Sequence, residues 1–238
     1  TEAISVTPPM TLKAIAVKSG MNNSAVASAS YSIIPTKATC VPGDFVLKDG
    51  TMLPKDITLT DTQKSNVAAV IVRAATNDKP ALGVGIVHNK MAWCTKSAVG
   101  CNTKITALVG EEASGYMDGS DGWEILKEAC SDAASNPENY PAWNYSLTYA
   151  ITNGLTGDLA TGWYLPTVAE LYTIYQNKTA VDASLSKAGG STFGTSWYWS
   201  CCQNPNYNNC ARALCIDNGG MSYYFKDGDD RCVCSVRA

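Results

Sequence analysis

The sequence predicts an α+β domain: short strands first, two helices in the middle, and a strand-rich tail. Three patterns predict it. Two compact apolar runs, residues 67–75 and 82–88, have strand length and β-branched content. Residues 123–134 and a segment beginning at Pro166-Thr167 carry apolar side chains at helical spacing. Beyond Gly189-Gly190 the chain becomes short extended runs separated by polar turns. A length of 238 residues holds one large domain, or one domain plus a small one.

Each element has a local reason. Residues 1–34 read as a β segment: Leu12, Ala14 and Ala16 alternate with Lys13, Ile15 and Val17. A turn at Ser19-Gly20-Met21-Asn22-Asn23 follows, then a second extended run to Ile33. Residues 43–51 predict a hairpin around Asp49-Gly50, a dipeptide suited to tight strand connections. The runs 67–75 and 82–88 predict buried strands, with Pro80 in the turn between them. In 123–134, Ile125, Leu126, Ala129 and Ala133 share a helical face, and Asp121 is placed to cap it. Thr167, with Glu170 three residues on, predicts a capping box, and Leu171, Ile174 and Tyr175 form the inner face of that helix.

Composition excludes several functions. Apolar residues make up 45% of the chain, enough for a core, and charged residues only 16%. A net charge of −3 excludes the basic footprint of a nucleic-acid binder. No apolar run reaches the roughly 18 residues of a membrane span; the best stops at Arg73. One histidine, His88, leaves little for acid–base chemistry. Of ten cysteines, Cys40, Cys94, Cys101 and Cys130 are scattered, and six crowd into the tail: Cys201, Cys202, Cys210, Cys215, Cys232 and Cys234. The tail offers C-C and C-x-C rather than zinc-ligand spacings, with no histidine nearby. Disulfides such as Cys201 to Cys234, or Cys94 to Cys101, stay open at this point.

Two resemblances add to this reading. The 11–33 pattern resembles the closing hairpin of small immunoglobulin-like modules appended to chitobiases and bacterial surface proteins, and implies a short remnant of one. From Gly162-Trp163-Tyr164-Leu165-Pro166-Thr167, through Glu170-Leu171, Tyr198-Trp199-Ser200 and Ala211-Arg212-Ala213-Leu214, to Gly219-Gly220 and Val236-Arg237-Ala238, the chain resembles the C-type-lectin-fold family. Within it the match is to the variable proteins of diversity-generating retroelements, whose fold also occurs in formylglycine-generating enzymes. This resemblance covers residues 35–238 and implies a C-type lectin-like domain with a variable region at about 201–234.

Such retroelements misread template adenines, which scatters asparagine codons into codons ending in a pyrimidine. The expected mark is an excess of Phe, Tyr, Cys, Asn, Asp and His. Residues 201–234 contain 19 of these types in 34 positions, against 37 in the other 204. A cysteine-rich loop alone does not raise Tyr, Asn and Asp together with Cys. On this reading Cys202, Cys210 and Cys215 are products of scatter, displayed at the surface.

Alternation then assigns faces. In residues 211–217, Leu214 and Ile216 go to the core with Arg212 on their side, and Ala213, Cys215 and Asp217 face a ligand. Tyr223, Tyr224 and Phe225 are consecutive, so at least one points away from the other two. Together with Tyr207, Asn208, Asp227, Asp229 and Asp230 they form the expected recognition surface, rich in Tyr and Asn as antibody paratopes are.

The resemblance implies a surface-displayed protein that binds a protein or glycan on another cell. No catalytic residue, metal ligand, cofactor or nucleic-acid partner is expected, and the chain is expected to be a monomer. Thr1 is not a natural start, so a removed export segment is expected; attachment to the outer membrane through a lost N-terminal lipidated cysteine is what the resemblance implies. Three alternatives stand beside this reading. A calcium-dependent lectin is suggested by Gln203-Asn204-Pro205-Asn206, although Asn204 breaks the spacing and Trp143-Asn144-Tyr145 replaces the usual Trp-Asn-Asp. A structural adhesin with a fixed tail is the second. A formylglycine-generating-type enzyme, or a His88–Cys94 thiol catalyst, is the third.

Overall fold

The N-terminal segment pairs with itself. β1 (Met10–Ala14) and β2 (Ala27–Tyr31) form an antiparallel two-stranded sheet, with Leu12 opposite Ala29. The turn between them falls where the sequence predicts it, with Gly20 at φ +78°. The computed structural model describes residues 10–31, 33–109, 118–228 and 231–238. Residues 1–9 of the expected β segment, and Asp229 and Asp230 of the expected surface, lie outside the described residues.

The first half of the main sheet follows the apolar runs. β3 (Phe45–Leu47) and β4 (Met52–Leu53) flank Asp49-Gly50; Gly50 adopts φ +85°, and the Asp49 carboxylate accepts the Thr51 N–H at 2.8 Å. A short helix, α1 (Asp61–Asn66), carries a Thr60–Gln63 capping box and delivers the chain to β5 (Val67–Arg73). β5 is buried on both faces, which explains why its sequence does not alternate. β6 (Leu82–Lys90) pairs with it antiparallel. At Gly85 a Cβ would come within 2.3 Å of the Tyr149 ring, so glycine is what lets that ring approach the strand.

The helices lie in the middle of the chain. α2 (Gly122–Ala129) is shorter than the 123–134 pattern, because Cys130 turns extended and buries its side chain. Asp121 occupies the N-cap position of α2 but makes no side-chain capping hydrogen bond. α3 (Pro141–Leu147) and α4 (Tyr149–Thr152) follow, then the two-residue strand β7 (Trp163–Tyr164). α5 (Val168–Gln176) begins with the expected capping box: Thr167 Oγ1 accepts from Glu170 N at 3.1 Å, and the Glu170 carboxylate accepts from Thr167 N at 2.8 Å. The other Glu170 oxygen accepts the Tyr164 hydroxyl at 2.7 Å, which satisfies this buried carboxylate and locks β7 to α5. α6 (Lys178–Ala188) ends at Gly189 in the left-handed conformation.

Four tail strands complete the sheet: β8 (Trp197–Gln203), β9 (Cys210–Cys215), β10 (Met221–Phe225) and β11 (Cys232–Arg237). The order across the nine strands is β10-β9-β8-β11-β6-β5-β3-β4, with β7 also on β11. β11 is thus central, although it is last in sequence. It runs antiparallel to β6 and parallel to β8, joining the tail strands to the first-half strands. α5 packs on β8 and β9, and α6 on β5. The main core holds Trp93, Trp143 and Trp199 with the inner faces of these strands and helices. The fold is therefore α+β with a mostly β core. Among the described residues, no helix is long and apolar enough to cross a membrane.

Candidate functional site

β10 is the outermost strand of the sheet, paired only with β9 among the described residues. Its side chains alternate as a half-covered strand requires. Met221, Tyr223 and Phe225 point outward, exposed to 38%, 46% and 63%. Ser222 and Tyr224 point inward. Tyr224 rests edge-on against Trp197 and Trp199, with ring centroids at 5.4 and 6.3 Å, and the Arg231 guanidinium lies 3.5 Å above it. Of three consecutive aromatics, the middle one is structural.

The loop between β8 and β9 extends the outward surface. The Asn204 side-chain oxygen accepts the N–H groups of Asn206 and Tyr207 at 2.8 and 3.0 Å, which folds the loop tightly. Gln203 is buried and holds it from within, its amide donating to the Asn208 and Thr103 carbonyls, both at 2.7 Å. So held, Tyr207 is half exposed and stacks on Tyr223, with centroids 5.4 Å apart and planes inclined by 27°. Asn208 is exposed beside it. Asp217, before β10, and Asp227, after it, are exposed and put acidic groups at either end of the strand.

The other expected surface residues are buried. Cys202 and Ala213 have no exposure, and Cys210 and Cys215 have 5%. These four are corrections to the exposure that the sequence suggests. β9 lies between β8 and β10 and is covered on both faces, so a single alternating pattern does not apply to it. Arg212 alone of β9 reaches partly into solvent; it stands directly across from Tyr223, as Leu214 stands across from Met221, so the two share a face as alternation places them. Leu214 and Ile216 are core residues, as the sequence predicts. Met221 was missed, yet its place two residues before Tyr223 and four before Phe225 is a readable signal.

The cysteines carry a related correction. All ten are buried free thiols, so Cys202, Cys210 and Cys215 are not surface groups, and Cys201 and Cys234 are not joined. Four of them surround Lys226, the residue after β10. Lys226 is fully buried; its ammonium donates to the Gly100 carbonyl at 2.6 Å and lies 4.7 Å from the Trp93 ring. Burial lowers its pKa to about 8, against the opposing influence of Cys94, Cys130, Cys101 and Cys210.

The residues behind the alternatives have structural partners. Gln203 and Asn204 spend their side-chain oxygens on backbone N–H groups. Among the described residues, no group of three or more His, Cys, Asp or Glu side chains converges to hold a metal. His88 sits on β6 with Nδ1 3.1 Å from the Tyr198 hydroxyl and its ring against Phe193, and burial lowers its pKa to about 4.

No protein-family model matches the sequence, and no curated protein matches it. Among solved structures, the chain is similar to the crystal structure of a fimbrial protein from Bacteroides ovatus, with a TM-score of 0.58 and 12% sequence identity. The match covers 83% of this chain and 48% of that one, so the chain spans about half the length of its structural neighbour. At that identity the likeness is one of fold.

Proposed function

We propose that the outer edge of the sheet is a ligand-binding surface on a C-type lectin-like scaffold, centred on Tyr207, Tyr223 and Phe225 and flanked by Asn208, Met221, Asp217 and Asp227. The observation that carries this reading is the stacked, exposed pair Tyr207–Tyr223 beside the largely exposed Phe225. Large aromatic rings held in place by a tightly bonded loop and a strand lose little freedom on binding, which favours recognition. The ligand class is a protein or glycan on another cell. The protein is a cell-surface, adhesin-like monomer whose residues 201–234 are diversified by a retroelement. The skew toward Tyr, Asn, Asp and Cys in that segment supports diversification, and a fimbrial protein as structural neighbour accords with a surface role.

Binding of the purified chain to glycan arrays and to intact cells tests the surface, with wild type compared against Tyr223→Ala and Phe225→Ala. Loss of binding in both variants, with the melting temperature lowered by no more than about 2–4 °C and no effect of a calcium chelator, is the expected result. Binding unaffected by either substitution removes the surface from consideration. Sequencing sister copies of the gene tests diversification separately: adenine-templated differences confined to residues 201–234 support it, and evenly spread differences favour a structural adhesin with a fixed tail.

A further inference from the structure

The ten thiols are not equivalent. Cys40, Cys210 and Cys215 direct their sulfurs to the Lys37 carbonyl, the Asn209 side chain and the Thr195 carbonyl. Cys130 lies in the core beside Tyr140. Cys232 and Cys234 are two apart on one strand, which separates their Cβ atoms by about 7 Å, beyond the roughly 4 Å a disulfide spans. Cys201 and Cys202 are neighbours in the chain, and a bond between adjacent residues forces a disulfide far from its unstrained geometry. Cys94 and Cys101 are brought together across six intervening residues. Two successive tight turns, Ala98 N–H to Thr95 O at 3.2 Å and Cys101 N–H to Ala98 O at 3.0 Å, fold the intervening segment back, and the two thiols lie in the same buried cluster, close enough to influence each other.

We propose that Cys94 and Cys101 are a disulfide-forming pair that closes the 94–101 loop when the protein meets an oxidising compartment. The co-reactant is a small-molecule or protein disulfide. The Cys101 thiolate attacks one sulfur of that disulfide and releases the first thiolate. Cys94 sulfur then attacks the mixed disulfide at Cys101, forming the Cys94–Cys101 bond and releasing the second. The two thiol protons end on the two released thiols, and the two electrons lost by the cysteines reduce the external disulfide. Cys101 is the entry point because it retains slight exposure where Cys94 has none. The Lys226 ammonium lies near both sulfurs and favours the thiolate, against the burial that raises both thiols.

The loop that would be closed also grips β10. The Cys94 N–H donates to the Lys226 carbonyl at 3.0 Å, and the Lys226 ammonium donates to Gly100 within the same loop. The disulfide therefore fixes the residue that follows Phe225, whatever the aromatic edge binds.

Tryptic digestion reads the link directly, because Lys96 separates the two cysteines into peptides 91–96 and 97–104. The full chain is incubated with oxidised glutathione, quenched in acid, unfolded, alkylated without reductant, digested and weighed. The expected product is the two peptides joined, lighter by two hydrogen atoms than their sum, with Cys130 and Cys210 alkylated. The link is expected to persist in Cys130→Ser and vanish in Cys101→Ser. Recovery of both wild-type peptides in alkylated form overturns the proposal, as does either cysteine joined to Cys130 or Cys210.

Discussion

Tyr207 stacks on Tyr223 across the gap between a loop and the outermost strand, with ring centroids 5.4 Å apart. The pair couples two chain segments that the sequence separates by a whole strand. Aromatic pairs contribute about 0.5–1.5 kcal/mol beyond their buried area. A double-mutant cycle with Tyr207→Ala and Tyr223→Ala, followed by urea unfolding, is expected to give a coupling near the low end, about 0.5–1 kcal/mol, because both rings are half in solvent. A coupling indistinguishable from zero would mean that the rings move independently.

The neighbouring tyrosine predicts the opposite balance. Tyr224 is wedged between two tryptophans and an arginine, whereas Tyr223 faces outward. Tyr224→Ala is expected to cost about 2–3 kcal/mol in stability, below the full aromatic-to-alanine loss because the ring is only partly buried. Tyr223→Ala is expected to cost under about 1 kcal/mol. Equal losses from the two substitutions would contradict the face assignment of β10.

A library that randomises residues 201–228 and is sorted for soluble expression gives a third expectation. Tolerated positions should cluster at Asn206, Tyr207, Asn208, Asp217, Asn218, Met221, Tyr223, Phe225 and Asp227, all exposed. Ala213→Tyr should be depleted, since a ring forced into a fully buried alanine site costs typically 1–3 kcal/mol or more. Free acceptance of large residues at Ala213 is the result that counts against the packing of β9.

His88 gives a pH dependence with a definite sign. Its folded pKa, about 4, lies below the ordinary 6.5, because burial disfavours the charged ring. The unfolded chain therefore binds a proton first as pH falls. The stability held above pH 6.5 is lost between about 6.5 and 4, by roughly 2–3 kcal/mol at most. His88→Gln should flatten that part of the curve in urea titrations at pH 7 and 4.5. An identical pH slope in wild type and variant would assign the loss to other groups.

The parts of the molecule that were legible in the sequence are those governed by local chemistry. The Asp49-Gly50 hairpin, the Thr167–Glu170 capping box and the apolar strands β5 and β6 follow from neighbouring residues alone. The exposure of Tyr207, Tyr223 and Phe225, and the inward turn of one aromatic of three, were readable to the same degree. The burial of Cys202, Cys210, Ala213 and Cys215 was not, because it depends on which strand lies beside which. Small side chains such as Ala213 and Cys215 suit either a covered or an open face, so their identity carries no signal of neighbours. Arg212 follows the alternation, sharing a face with Leu214 opposite outward residues of β10; what the sequence does not carry is that this face is covered over Leu214 and open over Arg212.

The central place of β11 has a consequence for how the protein is made. Until residues 232–237 leave the ribosome, no strand pairing joins β8, β9 and β10 to β6, and each half presents an open edge to the cell's proteases and to other nascent chains. A chain halted by a stop codon or thrown out of frame anywhere between β8 and β11 never receives the strand that unites the halves. Truncation and frameshift in the tail thus announce themselves as misfolding, and a molecule that folds to display the aromatic edge has been read in frame beyond it.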